Sequence, residues 1–114
     1  MTDQEMMFSK ARANVLKALA HPSRLYMVEK IREKPHCVCE LTELVGSDTS
    51  TVSKHLSILK AAGILSDRKE GTTVYYSLAC ECIDEILSGV ESVVRSHVAR
   101  QTKALEGQSV TAGV

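Results

Sequence analysis

Four cysteines are the residues of this chain best suited to chemistry, and they come as two Cys-x-Cys pairs, Cys37 with Cys39 and Cys80 with Cys82. Thiolates are the soft ligands of a protein and favour soft metals and metalloids. A helix N-terminus lowers the pKa of a thiol, so either pair could instead carry redox chemistry. Packed as small hydrophobes in a core, they would do neither. The segment MTDQEMMFSKARANV lacks the apolar run of a signal peptide and no later stretch is apolar enough to span a membrane, so a cytosolic setting with no membrane partner is expected. In a reducing compartment, cysteines serve as thiols, thiolates or metal ligands rather than as a disulfide framework. Residues two apart in a regular helix lie roughly 200° apart around the axis. Cys37 and Cys39 can therefore share one ion only if Cys37 lies outside a helix or the first turn is distorted.

A second constellation lies in SDTSTVSKHLSILKAAG, residues Ser47 to Gly63. Val52, Leu56, Leu59 and Ala62 recur on one helical face, while Ser50, Thr51, Ser53, Lys54, His55, Ser57 and Lys60 occupy the others. Small hydroxyls, an imidazole and two ammonium groups suit hydrogen bonding to base edges and phosphates. An ordinary solvated face would look the same in isolation. The formal net charge is zero, with 14 Lys plus Arg against 14 Asp plus Glu, so any basic surface has to be local. It would comprise Lys54, Lys60, Arg68 and Lys69, set against Asp48, Asp67 and Glu70.

Elements that position these residues follow from the spacing. Over Glu5 to Leu19, Phe8, Ala11, Val15, Ala18 and Leu19 mark a first helix, and Pro22 suits the first position of a second, with Leu25, Val28 and Ile31 inward. Lys34-Pro35 ends it, and an extended piece, Pro35 to Cys37, leads into a short helix from Val38 to Val45. Gly46 permits a sharp turn, and Asp48 can cap the helix that follows. A short helix, a glycine turn and a helix with a polar outer face form a helix-turn-helix. The run Ile64 to Leu78, with Gly71 at its charged tip, describes a hairpin placed as a wing. The expected fold is mainly α with a small β-hairpin wing, a winged helix-turn-helix over residues 1–106, followed by a disordered tail over 107–114. The last helix, Cys82 to Leu105, carries a long apolar stripe. A chain of 114 residues has little to cover it, so Val90, Val93 and Val94 are expected to meet a partner copy, together with Phe8 and Val15. Pairing of Pro35–Cys37 with the returning strand Val74–Leu78 would bring the two cysteine pairs together at the base of the wing.

Leu19-Ala20-His21-Pro22-Ser23-Arg24-Leu25, Cys37-Val38-Cys39-Glu40-Leu41, Ser50 to Leu59, Ala62-Gly63-Ile64-Leu65, Gly71 and Val74-Tyr75-Tyr76-Ser77-Leu78 resemble the ArsR/SmtB family of bacterial metal-responsive repressors. The resemblance covers nearly the whole chain and implies a winged helix-turn-helix homodimer that binds a palindromic operator and releases it when an inducer binds. The Cys-Val-Cys-Glu-Leu run is similar to the arsenite-sensing branch, which implies As(III) or Sb(III) held by cysteines at the start of the third helix. In that branch a third cysteine often lies three residues after the second, where this chain has Thr42. Trivalent arsenic, as the resemblance implies, prefers three sulfurs, which makes Cys80 or Cys82 the expected third ligand. The zinc-sensing branch places Asp and His on the last helix. Here Asp84, Glu85, Glu91 and His97 form no such pattern, and His97 reads as a surface or interface residue. His36 is weighed as an exposed residue or a ligand to a divalent ion, and His55 as a contact to DNA or to its helix's neighbours. Alternatives within regulation are cadmium, lead or mercury as the thiophilic inducer, or oxidants and persulfides. A small thiol oxidoreductase is a different class, and it is disfavoured because there is no Cys-x-x-Cys and no alternating strand-helix pattern.

Overall fold

The computed structural model describes residues 1–111, with side chains described through residue 106. Residues Met1–Glu81 form one compact unit, and the helix that begins at Cys82 belongs to a second. Helix α1, Asp3–Leu19, starts on a capping box: the Thr2 hydroxyl accepts from the Glu5 N–H at 3.1 Å, and the Glu5 carboxylate accepts from the Thr2 N–H at 2.7 Å. Helix α2, Pro22–Glu33, has Pro22 in its first turn, and the N-cap His21 accepts from the Ser23 N–H through Nδ1 at 3.1 Å. Strand β1, His36–Cys37, leads directly into α3, Val38–Val45. Gly46 ends α3 with φ +79°, a left-handed conformation that glycine adopts without strain. Helix α4, Thr49–Ala61, follows at once, and Asp48 caps it by accepting from the Thr51 N–H at 2.8 Å.

Strands β2, Leu65–Glu70, and β3, Thr73–Leu78, form the wing, with Gly71 at its tip (φ +65°). The antiparallel sheet has the order β1-β3-β2. Cys37 stands opposite Tyr75 and His36 opposite Tyr76, as the sequence led us to expect for these segments. The core of this unit is built from Met27, Val28, Leu41, Val52, Leu56, Leu59 and Ile64, each fully buried. Burial of each such side chain stabilises the fold by about 1.5–3 kcal/mol. Met27 is a core residue that the apolar spacing of α2 did not single out, whereas Leu25 is only half-buried.

Helix α5, Cys82–Thr111, starts at the expected residue and runs past Leu105. Ile83 and Leu87 in its first turns are buried, while Val90, Val93, Val94 and Val98 are 46–66% exposed. On α1, Phe8 is 55% exposed and Val15 is half-buried. Of the segment 107–114, expected to be disordered, residues 112–114 and the side chains of 107–111 lie outside the described residues.

Candidate nucleic-acid interface and thiol pair

The polar face of α4 is open. Ser50, Thr51, Lys54, Ser57 and Lys60 are exposed, and Ser53 is half-buried. From the wing, Arg68 and Lys69 are also exposed. The cations differ in their availability. Lys60 reaches back across the turn to Asp67 of β2 at 2.9 Å, and that hydrogen bond holds its ammonium above the ordinary lysine pKa. Arg68 pairs with Glu70 at 2.7 Å. Among the described residues, Lys54 and Lys69 have no ion-pair partner. A phosphate would therefore meet Lys54 and Lys69 directly, whereas Lys60 and Arg68 would have to exchange partners to contact it.

His55 sits differently from its neighbours on α4. It is half-buried, its Nδ1 lies 3.2 Å from Arg24 Nη1, and its ring centroid is 4.6 Å from that of His21. It makes the contact with its helix's neighbours that was one of the alternatives weighed for it. Arg24, placed by its spacing on the wet side of α2, is the residue that sequence reasoning missed. Its Nε donates to the Ala18 carbonyl at 2.7 Å and its Nη2 to the Lys17 carbonyl at 3.4 Å. Those carbonyls belong to the C-terminal turn of α1, where the Lys17 carbonyl also accepts from the Ala20 N–H at 3.3 Å. No local spacing signal could join Arg24 to a residue 31 positions away.

At the other end of the helix-turn-helix, Cys37 is the N-cap of α3 in an extended conformation (φ −92°, ψ 167°), half a step outside the helix, and Cys39 lies in the first turn. Cys37 is buried, Cys39 is exposed, and both are free thiols. Glu40 closes the turn by accepting the Cys37 backbone N–H at 3.0 Å. That bond first, and the Cys37 side chain second, hold the Glu40 carboxyl below its ordinary 4.5. His36 is buried rather than exposed, with Nδ1 2.6 Å from the Lys34 carbonyl, and it belongs to no group of three metal-ligating side chains among the described residues.

Cys80 and Cys82 are disulfide-bonded, contrary to the reduced state expected for a cytosolic chain. Cys37 stands opposite Tyr75, and three further residues of β3 carry the chain about 10 Å along the strand before it reaches Leu78, at ~3.3 Å per residue. Among the described residues, no group of three or more His, Cys, Asp or Glu side chains is arranged to hold a metal ion. A site of three thiolates is accordingly not assembled among the described residues.

Comparison with known proteins fits this arrangement. The profile of the bacterial regulatory proteins of the arsR family matches residues 21–67. An uncharacterised HTH-type transcriptional regulator of Mycobacterium tuberculosis, Rv0081, is 33% identical over 98 residues, 85% of this chain and 86% of the relative. The chain belongs to the ArsR family. Within that family, the arsenic resistance transcriptional regulator ArsR1 of Pseudomonas putida is 44% identical over 80 residues, covering 67% of this chain and 62% of the relative. The solution structure of the homodimeric winged helix-turn-helix DNA-binding domain Mb0332 of Mycobacterium bovis superposes with a TM-score of 0.80 at 28% identity, covering 88% of this chain and 93% of that one. As an ArsR-family protein the chain is a transcriptional regulator with a winged helix-turn-helix fold, and this points away from a thiol oxidoreductase. No helix among the described residues is long and apolar enough to cross a membrane.

Proposed function

We propose that this ArsR-family regulator is a thiol-based repressor that binds a palindromic operator as a homodimer in the cytoplasm and leaves it when As(III) or Sb(III) is captured by Cys37 and Cys39. The observation that carries this reading is the placement of Cys37 as an extended N-cap. Both thiols are free, and they belong to the first half of the DNA-reading unit without both being locked on opposite sides of a helix. The 44% identity to ArsR1, a regulator named for arsenic resistance, supports the choice of inducer. Each arsenic–sulfur bond forms as a thiol proton and an arsenic-bound hydroxide depart together as water. Drawing Cys37 and Cys39 onto one ion disturbs the Glu40 closure of α3, and the Gly46 turn passes that strain to α4. The inducer thus favours the state in which α4 is misplaced, and by linkage DNA weakens inducer binding by the same factor.

Ser50, Thr51, Ser53, Lys54, Ser57, Lys60, Arg68 and Lys69 form the DNA face in this reading, and His55 borders it. The second half-site is met by a partner copy held through Phe8, Val15, Val90, Val93 and Val94, a reading supported by the exposure of Phe8, Val90, Val93 and Val94 on a single chain and by the homodimeric Mb0332 domain. Cys80 and Cys82 join as ligands only after reduction. Their disulfide favours a second reading, in which the same repressor answers to an oxidant through that pair. X-ray absorption of the As(III) complex separates these. Two sulfurs in the wild type, or three once Cys80 and Cys82 are reduced, and a lower count in Cys37→Ser fit the proposal. A count unchanged by loss of both Cys37 and Cys39 contradicts it, and release of DNA by peroxide that vanishes in Cys80→Ser supports the second reading.

A further inference from the structure

Arg24 bonds to three partners on two helices other than its own. It takes two carbonyls at the end of α1, and it meets His55 in the middle of α4. A guanidinium has donors only, so the Nδ1 that faces it must be an acceptor. A hydrogen bond across this 3.2 Å contact requires His55 to be neutral, with its proton on Nε2. Its neighbour His21 also spends Nδ1 as an acceptor, for the Ser23 N–H. Beside this bridge the seam between α1 and α4 opens into a groove of about 360 Å³ lined by Asn14, Lys17, Ile58 and Ala61 among others. Packing is incomplete at this groove, so beside it the polar bridge adds to the hold that buried Ala18, Leu19, Leu56 and Leu59 have on the two helices.

We propose that Arg24 and His55 form a latch that sets the position of the recognition helix against α1 and α2, and that protonation of His55 opens it and weakens operator recognition. The proposal rests on the DNA-binding reading of α4. A proton on Nδ1 would turn an acceptor into a donor aimed at Arg24 and would set a third positive charge beside two others. The groups acting on the ring are His21 at the N-cap of α2, Arg24 from α2 and Lys54 from its own helix, while α1 presents the backbone carbonyls held by Arg24 and has Lys17 on the adjoining groove; none of these is a carboxylate. Burial first, then the charges of His21, Arg24 and Lys54, hold His55 below its ordinary 6.5. A base depressed in this way keeps its latch intact above about pH 6.5, and the latch is lost as the pH falls from there.

The direction of the effect is diagnostic. A histidine that merely faced phosphate would bind more tightly when charged, whereas a latch predicts weaker specific binding in acid. The test uses the full chain and a duplex selected from a random pool by the wild type at about pH 7.5, with a scrambled duplex as control, at constant ionic strength. Specific affinity should fall between about pH 7.5 and pH 5.5 by up to about tenfold, the ceiling for uptake of one proton at the ordinary histidine value and smaller the further His55 is depressed. In His55→Asn, whose side-chain oxygen replaces Nδ1 without titrating, the fall should shrink to about twofold or less. Arg24→Met should bind weakly throughout, with Arg24→Lys recovering part of the affinity. Equal pH profiles in the wild type and His55→Asn, or tighter specific binding in acid, would overturn the latch. Imidazole 15N shifts read the ring directly without DNA: an unprotonated Nδ1 at neutral pH is required, and a proton there overturns the proposal. Failure to select any duplex would instead count against the DNA-binding reading.

Discussion

Lys54 and Lys60 lie on the same helix, yet their removal should have different consequences. Lys54 is exposed without an ion-pair partner among the described residues, whereas Lys60 is tied to Asp67 at 2.9 Å. A lysine that neutralises one phosphate contributes about 0.9 to the slope of log affinity against log salt. Between about 50 and 200 mM salt, one such contact changes the affinity about 3.5-fold. Lys54→Ala should therefore lower the slope by about 0.9 on every DNA sequence, leaving the ranking of sequences unchanged. Lys60 is already neutralised, so Lys60→Ala should lower it by less than about half that amount. Asp67→Asn releases Lys60 and should raise the slope, tightening binding most at low salt. The assay is a salt titration by fluorescence anisotropy with the selected duplex and a scrambled one. Equal slope losses in Lys54→Ala and Lys60→Ala, with no gain in Asp67→Asn, would refute the view that the pair with Asp67 governs the availability of Lys60.

The other expectations are more direct. Gly46→Ala meets no steric obstacle but must hold φ +79°, so it should destabilise the chain by about 1–2 kcal/mol in urea titrations. Glu40 and Asp48 are both held below their ordinary 4.5 and 3.8, chiefly by hydrogen bonds at helix starts, so their contribution is present above those values and lost as the pH falls through the lower, folded ones. Melting temperature should accordingly drop in acid below about pH 4.5, with a shallower acid limb in Asp48→Ala. Val90→Glu with Val94→Glu should convert a dimer to a monomer in sedimentation equilibrium, and a wild type already monomeric at micromolar concentration would rule out these contacts.

Where local signals were strong, the sequence was readable. Pro22, Gly46, Asp48 and Gly71 each impose a backbone state on their own neighbourhood, and the starts of α2 and α4, the turn before α4 and the wing tip lie at or next to these residues. The extended Cys37 was also anticipated, as the end of the extended piece Pro35 to Cys37 that leads into α3. What could not be read depends on residues distant in sequence. Arg24 and His55 carry no mutual spacing signal, and the partners of Lys60 and Arg68 depend on how the wing folds beside α4. His36 was judged by its polarity, although pairing of β1 with β3 buries it and the Lys34 carbonyl satisfies its ring nitrogen. For Cys80, the direction of β3 was the missing piece: the pairing was anticipated, but the register carries the chain away from Cys37.

The central claim is that Cys37 and Cys39 couple inducer capture to DNA release, and the most direct test follows the operator complex during titration with arsenite in the wild type and in Cys37→Ser. Serine is a preferred N-cap, so this substitution should keep the start of α3 and with it DNA binding. The account predicts operator affinity near that of the wild type and loss of release by arsenite. Release unchanged in Cys37→Ser, or loss of DNA binding before any arsenite is added, would contradict it.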